Sequence, residues 1–129
     1  MTINSQDDYV KYRFQRAKES FDEALILADN ERWNAVINRL YYSCYYAVIA
    51  LLLKNKLETQ SHDGARTLFG LHFKKTGVID KQYGKFFTKL FDYRQKGDYG
   101  DLFDYDEKIS MPLMEQAKEF IEEIEKHLL

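Results

Sequence analysis

Apolar residues recur every three or four positions along four long segments and one short segment of this chain. That spacing is typical of one face of an α-helix. The predicted helices cover about 5–28, 31–55, 63–75, 83–96 and 113–128. No segment alternates with a period of two over a convincing length, and one proline and six glycines leave few interruptions. We therefore predict an all-α fold, an antiparallel up-and-down bundle of four long helices and a short one, as a single domain over 1–129.

Several helix ends carry recognisable signals. Ser5 is followed three residues later by Asp8, which is a capping-box start for the first helix. Gly77 is expected to end the short helix. Pro112 is expected in the first turn of the last helix, where its missing N–H costs nothing. If that helix begins nearer Asp106, Pro112 should kink it.

The second helix is apolar nearly all round over 40–53, so it must be covered on most sides. It is either the central helix of a monomer or is covered in part by a second copy of the chain. Ten tyrosines, nine phenylalanines and one tryptophan are more than so small a bundle would readily bury. Tyrosine and phenylalanine are enriched at protein interfaces. We predict a homodimer packed through the second and fourth helices.

Charge and composition limit the choice of partners and compartment. A net charge of −2 provides no overall field for nucleic acid or anionic membranes, so binding RNA requires a local basic patch. A single cysteine, Cys44, excludes an internal disulfide and fits a reducing compartment. The N-terminus is polar and acidic, unlike a signal peptide. The apolar run 40–53 is shorter than the ~20 residues of a membrane span. We expect a cytoplasmic protein with no membrane partner.

The fourth helix carries two charges on its apolar face. Arg94 and Asp98 lie eleven and fifteen positions after Tyr83, so helical spacing places them one turn apart on that face. Charged groups are rare in such positions unless they are paired or used. We expect this pair to form part of a functional groove at or beside the dimer interface.

A polar and aromatic stripe on the second helix can complete that site. Arg39, Tyr42, Ser43 and Tyr46 follow helical spacing. Guanidinium groups bind phosphate bidentately and tyrosine rings stack on bases, so the stripe beside Arg94 would form a small phosphate or nucleotide site. Alternatively, Arg39 is only salt-bridged to an acid on a neighbouring helix.

The remaining candidates are weaker. His62 at the start of the third helix is either a ligand contact or a plain helix-terminus contact. His62 and His72 are ten residues apart with no pair at helical i, i+4 spacing, so we predict no metal site and no cofactor. Lys85 and Lys89 form either a phosphate-binding strip or a solvated face.

Four separated motifs resemble the HEPN domain family, and most closely its small stand-alone prokaryotic branch. They are Asn-Arg-Leu-Tyr-Tyr-Ser-Cys-Tyr-Tyr-Ala at 38–47, Ser-His-Asp-Gly at 61–64, Phe-Lys-Lys-Thr-Gly at 73–77 and Arg-Gln-Lys-Gly-Asp-Tyr at 94–99. The resemblance implies a helical bundle that dimerises. It also implies a minimal nucleotidyltransferase as partner, often in a toxin–antitoxin pair. Active members of the family are metal-independent endoribonucleases.

The family's catalytic motif is an arginine followed four to six residues later by a histidine. The arginine stabilises phosphoryl charge and the histidine moves protons. Arg94 matches the arginine, but Asp98 stands near the place of the histidine, and the next histidine is His127. An ionised aspartate repels phosphate and is a poor general acid. The resemblance also implies that Tyr99, beside the motif, could be adenylylated, although its register differs from the family's pattern.

Three functional hypotheses follow. The first, which we favour, is a non-catalytic subunit that binds RNA or nucleotide and partners a nucleotidyltransferase. The second is a metal-independent endoribonuclease that uses Arg94 with an unconventional acid or base. The third is a purely structural dimerisation module. The predicted ligand-binding residues are Arg39, Tyr42, Tyr46, His62, Arg94, Asp98 and Tyr99, and the nuclease alternative would use Arg94, Asp98, Tyr99 or His62.

Overall fold

The computed structural model describes residues 6–101 and 104–129. It contains α1 (Gln6–Asp29), α2 (Trp33–Lys54), α3 (His62–Phe69), α4 (Lys81–Tyr99) and α5 (Glu107–Lys126), and a π-helical turn (Gly70–Lys74) continues α3. There is no β-strand in the described part of the chain. The all-α class with four long helices and a short one is therefore confirmed. The antiparallel order of the whole bundle and its dimerisation stay predictions.

Helix α2 is the centre of the fold because it contacts all four other helices. Its buried side chains lie on several sides of the helix: Val36, Ile37, Leu40, Tyr41, Ser43, Cys44, Ala47, Val48, Ala50, Leu51 and Leu52. With 22 residues it is long and apolar enough to cross a membrane, so the length argument made from residues 40–53 was wrong. The other helices bury 61% of its most apolar window, as in the core helix of a folded domain.

Helices α1 and α2 run in opposite directions and are joined by a tight turn. Buried Ser43 donates a hydrogen bond from Oγ to the carbonyl oxygen of Ala17 at 2.6 Å. About one turn of α2 nearer the connection, Arg39 forms an ion pair with Glu23 at 3.3 Å. The Ser43 bond satisfies a polar group that has no access to water, which fixes the register of the two helices. The predicted cap Ser5 lies outside the described residues.

Helix α5 begins earlier than expected. The Asp106 carboxylate accepts a hydrogen bond from the backbone N–H of Ile109 at 2.9 Å, so Asp106 is the N-cap. Pro112 consequently lies in the second turn, and its predicted first-turn position was wrong. At this position proline removes one hydrogen bond of the helix interior. The kink expected for this arrangement stays a prediction.

Helices α3 and α4 place the predicted site residues. The Ser61 hydroxyl caps α3 by accepting from the N–H of Gly64 at 2.9 Å, and His62 is the first residue of that helix. Helix α4 starts at Lys81, after its cap Asp80, and extends to Tyr99. Because α4 runs three residues beyond the predicted end, the whole 94–99 motif is helical.

The aromatic core predicts a specific stability effect. Phe120 of α5 is fully buried, and its ring centroid lies 5.7 Å from that of Phe87 and 5.9 Å from that of Phe69. Phe120→Ala should lower the free energy of unfolding by about 3–5 kcal/mol in urea titrations, through lost burial and a cavity. Met111→Ala, 45% exposed on the same helix, should change it by less than about 0.5 kcal/mol. Equal effects of the two variants would contradict this core.

Candidate functional site

Arg94 is the centre of the candidate site. Its Nε donates to Asp98 Oδ2 at 3.1 Å, and its second terminal nitrogen donates to the Tyr42 hydroxyl at 2.9 Å. The guanidinium carbon also lies over three tyrosine rings, 5.2 Å from Tyr42, 5.5 Å from Tyr99 and 5.6 Å from Tyr41. Only 12% of the side chain is exposed. These contacts hold the charge in one orientation between α2 and α4.

Asp98 links this arginine to α2. The Asn38 side-chain amide donates to the same Asp98 oxygen at 2.9 Å. The Asn38 carbonyl oxygen in turn accepts two hydrogen bonds from Arg39, at 3.0 and 2.8 Å. Asp98 therefore neutralises Arg94 of its own helix, and one continuous polar chain joins the two arginines.

Packing of Tyr105 against Gly97 fixes the position of the end of α4. A Cβ atom at Gly97 would lie 3.0 Å from the Tyr105 ring, so only glycine allows the ring this close. The Tyr105 hydroxyl donates to the Tyr93 carbonyl oxygen at 2.8 Å, and the Tyr105 N–H donates to Asn34 of α2 at 2.7 Å. Burial raises the pKa of Tyr105 to about 12, so the hydroxyl remains a donor. These contacts position Asp98, which is the residue after Gly97.

His62 reaches the site from α3 through Tyr41. Its Nδ1 lies 2.6 Å from the Tyr41 hydroxyl, and its ring stacks on Tyr45 with centroids 4.2 Å apart. Burial lowers the pKa of His62, as do the charges of Arg94 and Arg66. Burial also raises the pKa of Tyr41, which keeps its proton. We therefore assign the Tyr41 hydroxyl as donor to Nδ1, which leaves neutral His62 with its proton on Nε2.

Sequence reasoning missed Arg66. Its guanidinium carbon lies 3.9 Å above the centre of the Phe91 ring, and it pairs with Asp63 one turn earlier. Its Nε is buried and has no hydrogen-bond partner in the part of the chain that the structure describes. The available signal was its position four residues after His62, which places both side chains on the same face of α3.

The structure brings together most, but not all, of the predicted site residues. Arg94, Asp98, Tyr99 and Tyr42 are in direct contact, and His62 joins them through Tyr41. Arg39 lies 5.2 Å from the Tyr42 ring and also forms the interhelical ion pair with Glu23, and its binding of a ligand stays a prediction.

Tyr46 lies at the edge of the site. It contacts the Tyr42 ring and is covered by Arg16 of α1, whose guanidinium carbon is 5.6 Å from its centroid. Tyr99 is 70% exposed. Tyr99 therefore flanks Arg94 without enclosing it, whereas Tyr46 is next to Tyr42 rather than to Arg94.

Most arginines of this chain contact an aromatic ring. Five of the six arginines lie over aromatic rings: Arg13, Arg16, Arg39, Arg66 and Arg94. A guanidinium stacks on a ring while its N–H edge remains available to phosphate, which an ammonium group cannot do equally well. Four of these five arginines, all except Arg13, also pair with a carboxylate, so the rings hold guanidinium groups whose charge is largely balanced.

The arrangement has defined chemical capabilities. Guanidinium and phenol groups supply donors for phosphate oxygens, and exposed tyrosine faces can stack on bases. Within the described residues, no group of three or more histidine, cysteine, aspartate or glutamate side chains could hold a metal. Cys44 is buried, and burial raises the pKa of its thiol, so it is no nucleophile.

Removal of Asp98 should destabilise the site, because Arg94 would lose its charged partner. Both side chains are mostly buried, at 12% and 23% exposure, but Arg94 keeps Tyr42 and three rings. Asp98→Ala should therefore lower the free energy of unfolding by about 1–3 kcal/mol, measured by urea denaturation. The control Asp92→Ala removes an exposed acid from the same helix and should have little effect. A variant at Asp98 that unfolds like wild type would show that the pair contributes nothing.

Comparisons with known proteins agree with the motifs. The HEPN domain model matches residues 10–127. A "UPF0332 protein" from Thermotoga maritima is 37% identical over 124 residues, which cover 96% of this chain and 94% of that protein. "Putative toxin MJ0605" from Methanocaldococcus jannaschii is 33% identical over 87% of this chain and 83% of its own length. A second protein of that organism, "Putative toxin MJ0142", is 26% identical over 89% of this chain and 78% of its length. The chain belongs to the HEPN domain family.

Proposed function

We propose that this protein is a dimeric, non-catalytic HEPN subunit that binds RNA or a nucleotide at Arg94 and partners a minimal nucleotidyltransferase in a toxin–antitoxin system. One observation carries the proposal. The Arg94 guanidinium is held by Asp98 and Tyr42 and stacked among three tyrosine rings, at the partly exposed end of α4.

Arg94 retains binding capacity in this arrangement. A guanidinium has five N–H donors. Among the described residues two are used, one by Asp98 and one by the Tyr42 hydroxyl, and three are not engaged by these residues. Because its orientation is already fixed, binding costs little additional side-chain entropy. The nearby exposed ring of Tyr99 can stack on a base.

Two observations support a non-catalytic role in a toxin–antitoxin system. Relatives that cover most of this chain are named as toxins. The catalytic histidine of the family motif is absent from α4, where Asp98 accepts hydrogen bonds from Arg94 and Asn38. This carboxylate holds Arg94 and Asn38 in place, which favours a binding role over cleavage.

Metal-independent RNA cleavage is the second candidate, and one observation favours it. Neutral His62 presents an Nε2–H near Arg94, whose charge lowers the pKa of His62. Once His62 has taken up a proton, its Nε2–H could protonate the leaving 5′-oxygen and return the imidazole to its neutral form, while the 2′-hydroxyl gives its proton to water and attacks phosphorus. Here the two groups come from different helices, which is unlike the family motif.

The ligand-binding proposal predicts a specific loss of affinity. Arg94→Gln should raise the Kd for a fluorescein-labelled single-stranded oligouridylate or for ATP about 10-fold or more, because a charge-assisted hydrogen bond is worth about 1.5–3 kcal/mol. Fluorescence anisotropy measures the first probe and calorimetry the second. Lys85 is exposed on the same helix, nine residues before Arg94 and therefore on the opposite side of α4, so Lys85→Gln should have little effect if Lys85 belongs to a solvated face.

Two outcomes would overturn this proposal. Equal losses in the Arg94 and Lys85 variants would show that binding is only non-specific charge attraction. Robust cleavage of the oligouridylate by wild type in the presence of chelator, abolished in Arg94→Gln and in His62→Asn, would establish the ribonuclease instead.

Dimerisation is supported by incompletely covered aromatic surface. Tyr42, Tyr45 and Tyr46 of α2 are only half-buried, and Tyr12 of α1 is 56% exposed. We propose that a second copy of the chain covers part of this surface, through α2 and α4.

Light scattering at micromolar concentration should therefore report twice the mass of the chain. Tyr45→Glu should shift the protein toward monomer, because a buried unpaired carboxylate is unfavourable at an interface. Met111→Glu places the same charge on exposed α5 and should leave the dimer intact. A wild-type monomer would contradict the proposed assembly.

A further inference from the structure

Two arginines from different helices lie against one continuous aromatic wall, formed by the rings of Phe91 and Tyr41. Arg66 of α3 stacks on Phe91 at 3.9 Å. The Phe91 ring meets the Tyr41 ring edge-on, with centroids 5.6 Å apart. The guanidinium carbon of Arg94 lies over the Tyr41 ring, 5.6 Å from its centroid. The hydroxyl of the same Tyr41 holds His62. The wall therefore holds two guanidiniums and one imidazole in a single cluster.

Arg66 is less fully engaged than Arg94. Its acidic partner, Asp63, is 83% exposed, and such an exposed ion pair contributes little to stability. The Arg66 side chain is itself 25% exposed, and its buried Nε has no hydrogen-bond partner among the described residues, so a ligand would reach its terminal nitrogens. Stacking on Phe91 fixes the plane of the guanidinium and leaves its N–H edge free to exchange Asp63 for another anion.

We propose that Arg66 and His62 form a second phosphate subsite beside Arg94, so that the site takes a ligand carrying more than one phosphate. The ligand chemistry is either consecutive phosphates of a single RNA strand or the polyphosphate chain of a nucleotide. This inference rests on the proposed function of Arg94 and adds the number of phosphates that the ligand must carry.

His62 makes binding at this subsite depend on pH. The groups facing its ring are Tyr41, Tyr42 and Tyr45 from α2, Asp63 and Arg66 from α3, and Arg94 from α4. In the free protein the two arginines oppose protonation of the imidazole. A bound phosphate offsets their charge and favours protonation, so binding takes up a proton. Affinity therefore rises as pH falls toward the pKa of His62, and Tyr41 then turns from donor to acceptor.

The test compares four variants of the full chain by anisotropy with labelled oligouridylate and by calorimetry with ATP and AMP. Arg66→Gln removes the proposed subsite, Arg94→Gln removes the first site and Lys85→Gln is the charge control. His62→Asn keeps an acceptor for the Tyr41 hydroxyl but cannot take up a proton. Circular dichroism melts check that each variant folds. If Arg66→Gln does not, Arg66→Lys retains the charge without the planar fork and should lose part of the affinity.

Arg66→Gln should weaken oligouridylate or ATP binding about 10-fold. For RNA, it should also reduce the slope of log affinity against log salt by about 0.7, the value for one phosphate contact on a single strand. Wild type should bind more tightly at acidic than at neutral pH, and His62→Asn should remove most of this difference.

The outcomes distinguish the two ligand sources, and they distinguish failure of the second subsite from failure of the Arg94 site. A loss confined to RNA identifies strand phosphates, and a loss for ATP but not AMP identifies a nucleotide polyphosphate. If Arg94→Gln loses binding while Arg66→Gln binds both probes like wild type, the second subsite is wrong and the Arg94 site stands. If wild type binds none of the probes, both proposals fail.

Discussion

Burial of α2 on nearly every side is the constraint on which the rest of this structure depends. The helix contacts all four others, and its small residues, such as Ala47 and Ala50, are fully buried. Close packing of this kind tolerates few polar groups, and Ser43 is accommodated because it bonds the α1 backbone. The core thereby fixes which residues of α2 remain at its accessible edge.

The candidate site is built along that edge. Arg94 from α4 and His62 from α3 both bind tyrosine hydroxyls of α2, at Tyr42 and Tyr41 respectively. The site therefore combines three helices, and its polar chemistry is anchored on the same helix that organises the core. A small displacement of α2 would misalign both groups, so the geometry of the candidate site depends on the packing of the core.

Periodicity was sufficient to predict the helices because apolar spacing directly reflects which side of a helix is buried. It also placed Arg94 and Asp98 in one cluster, since residues four apart share a helix face. It could not find Arg66, whose role depends on how α3 approaches Phe91, and that approach is a tertiary property. The last helix was mispositioned because Pro112 suggested a first turn more strongly than Asp106 suggested a cap.

The most direct test of the central claim is NMR observation of the arginine Nε–H groups in the full chain, labelled with 15N-arginine, during titration with oligouridylate. Only six side chains contribute signals, and Arg32, which has no ring contact among the described residues, is an internal reference. If Arg94 binds phosphate, its signal should shift saturably with little change at Arg32. An Arg94 signal that stays in place while RNA is bound would contradict the claim.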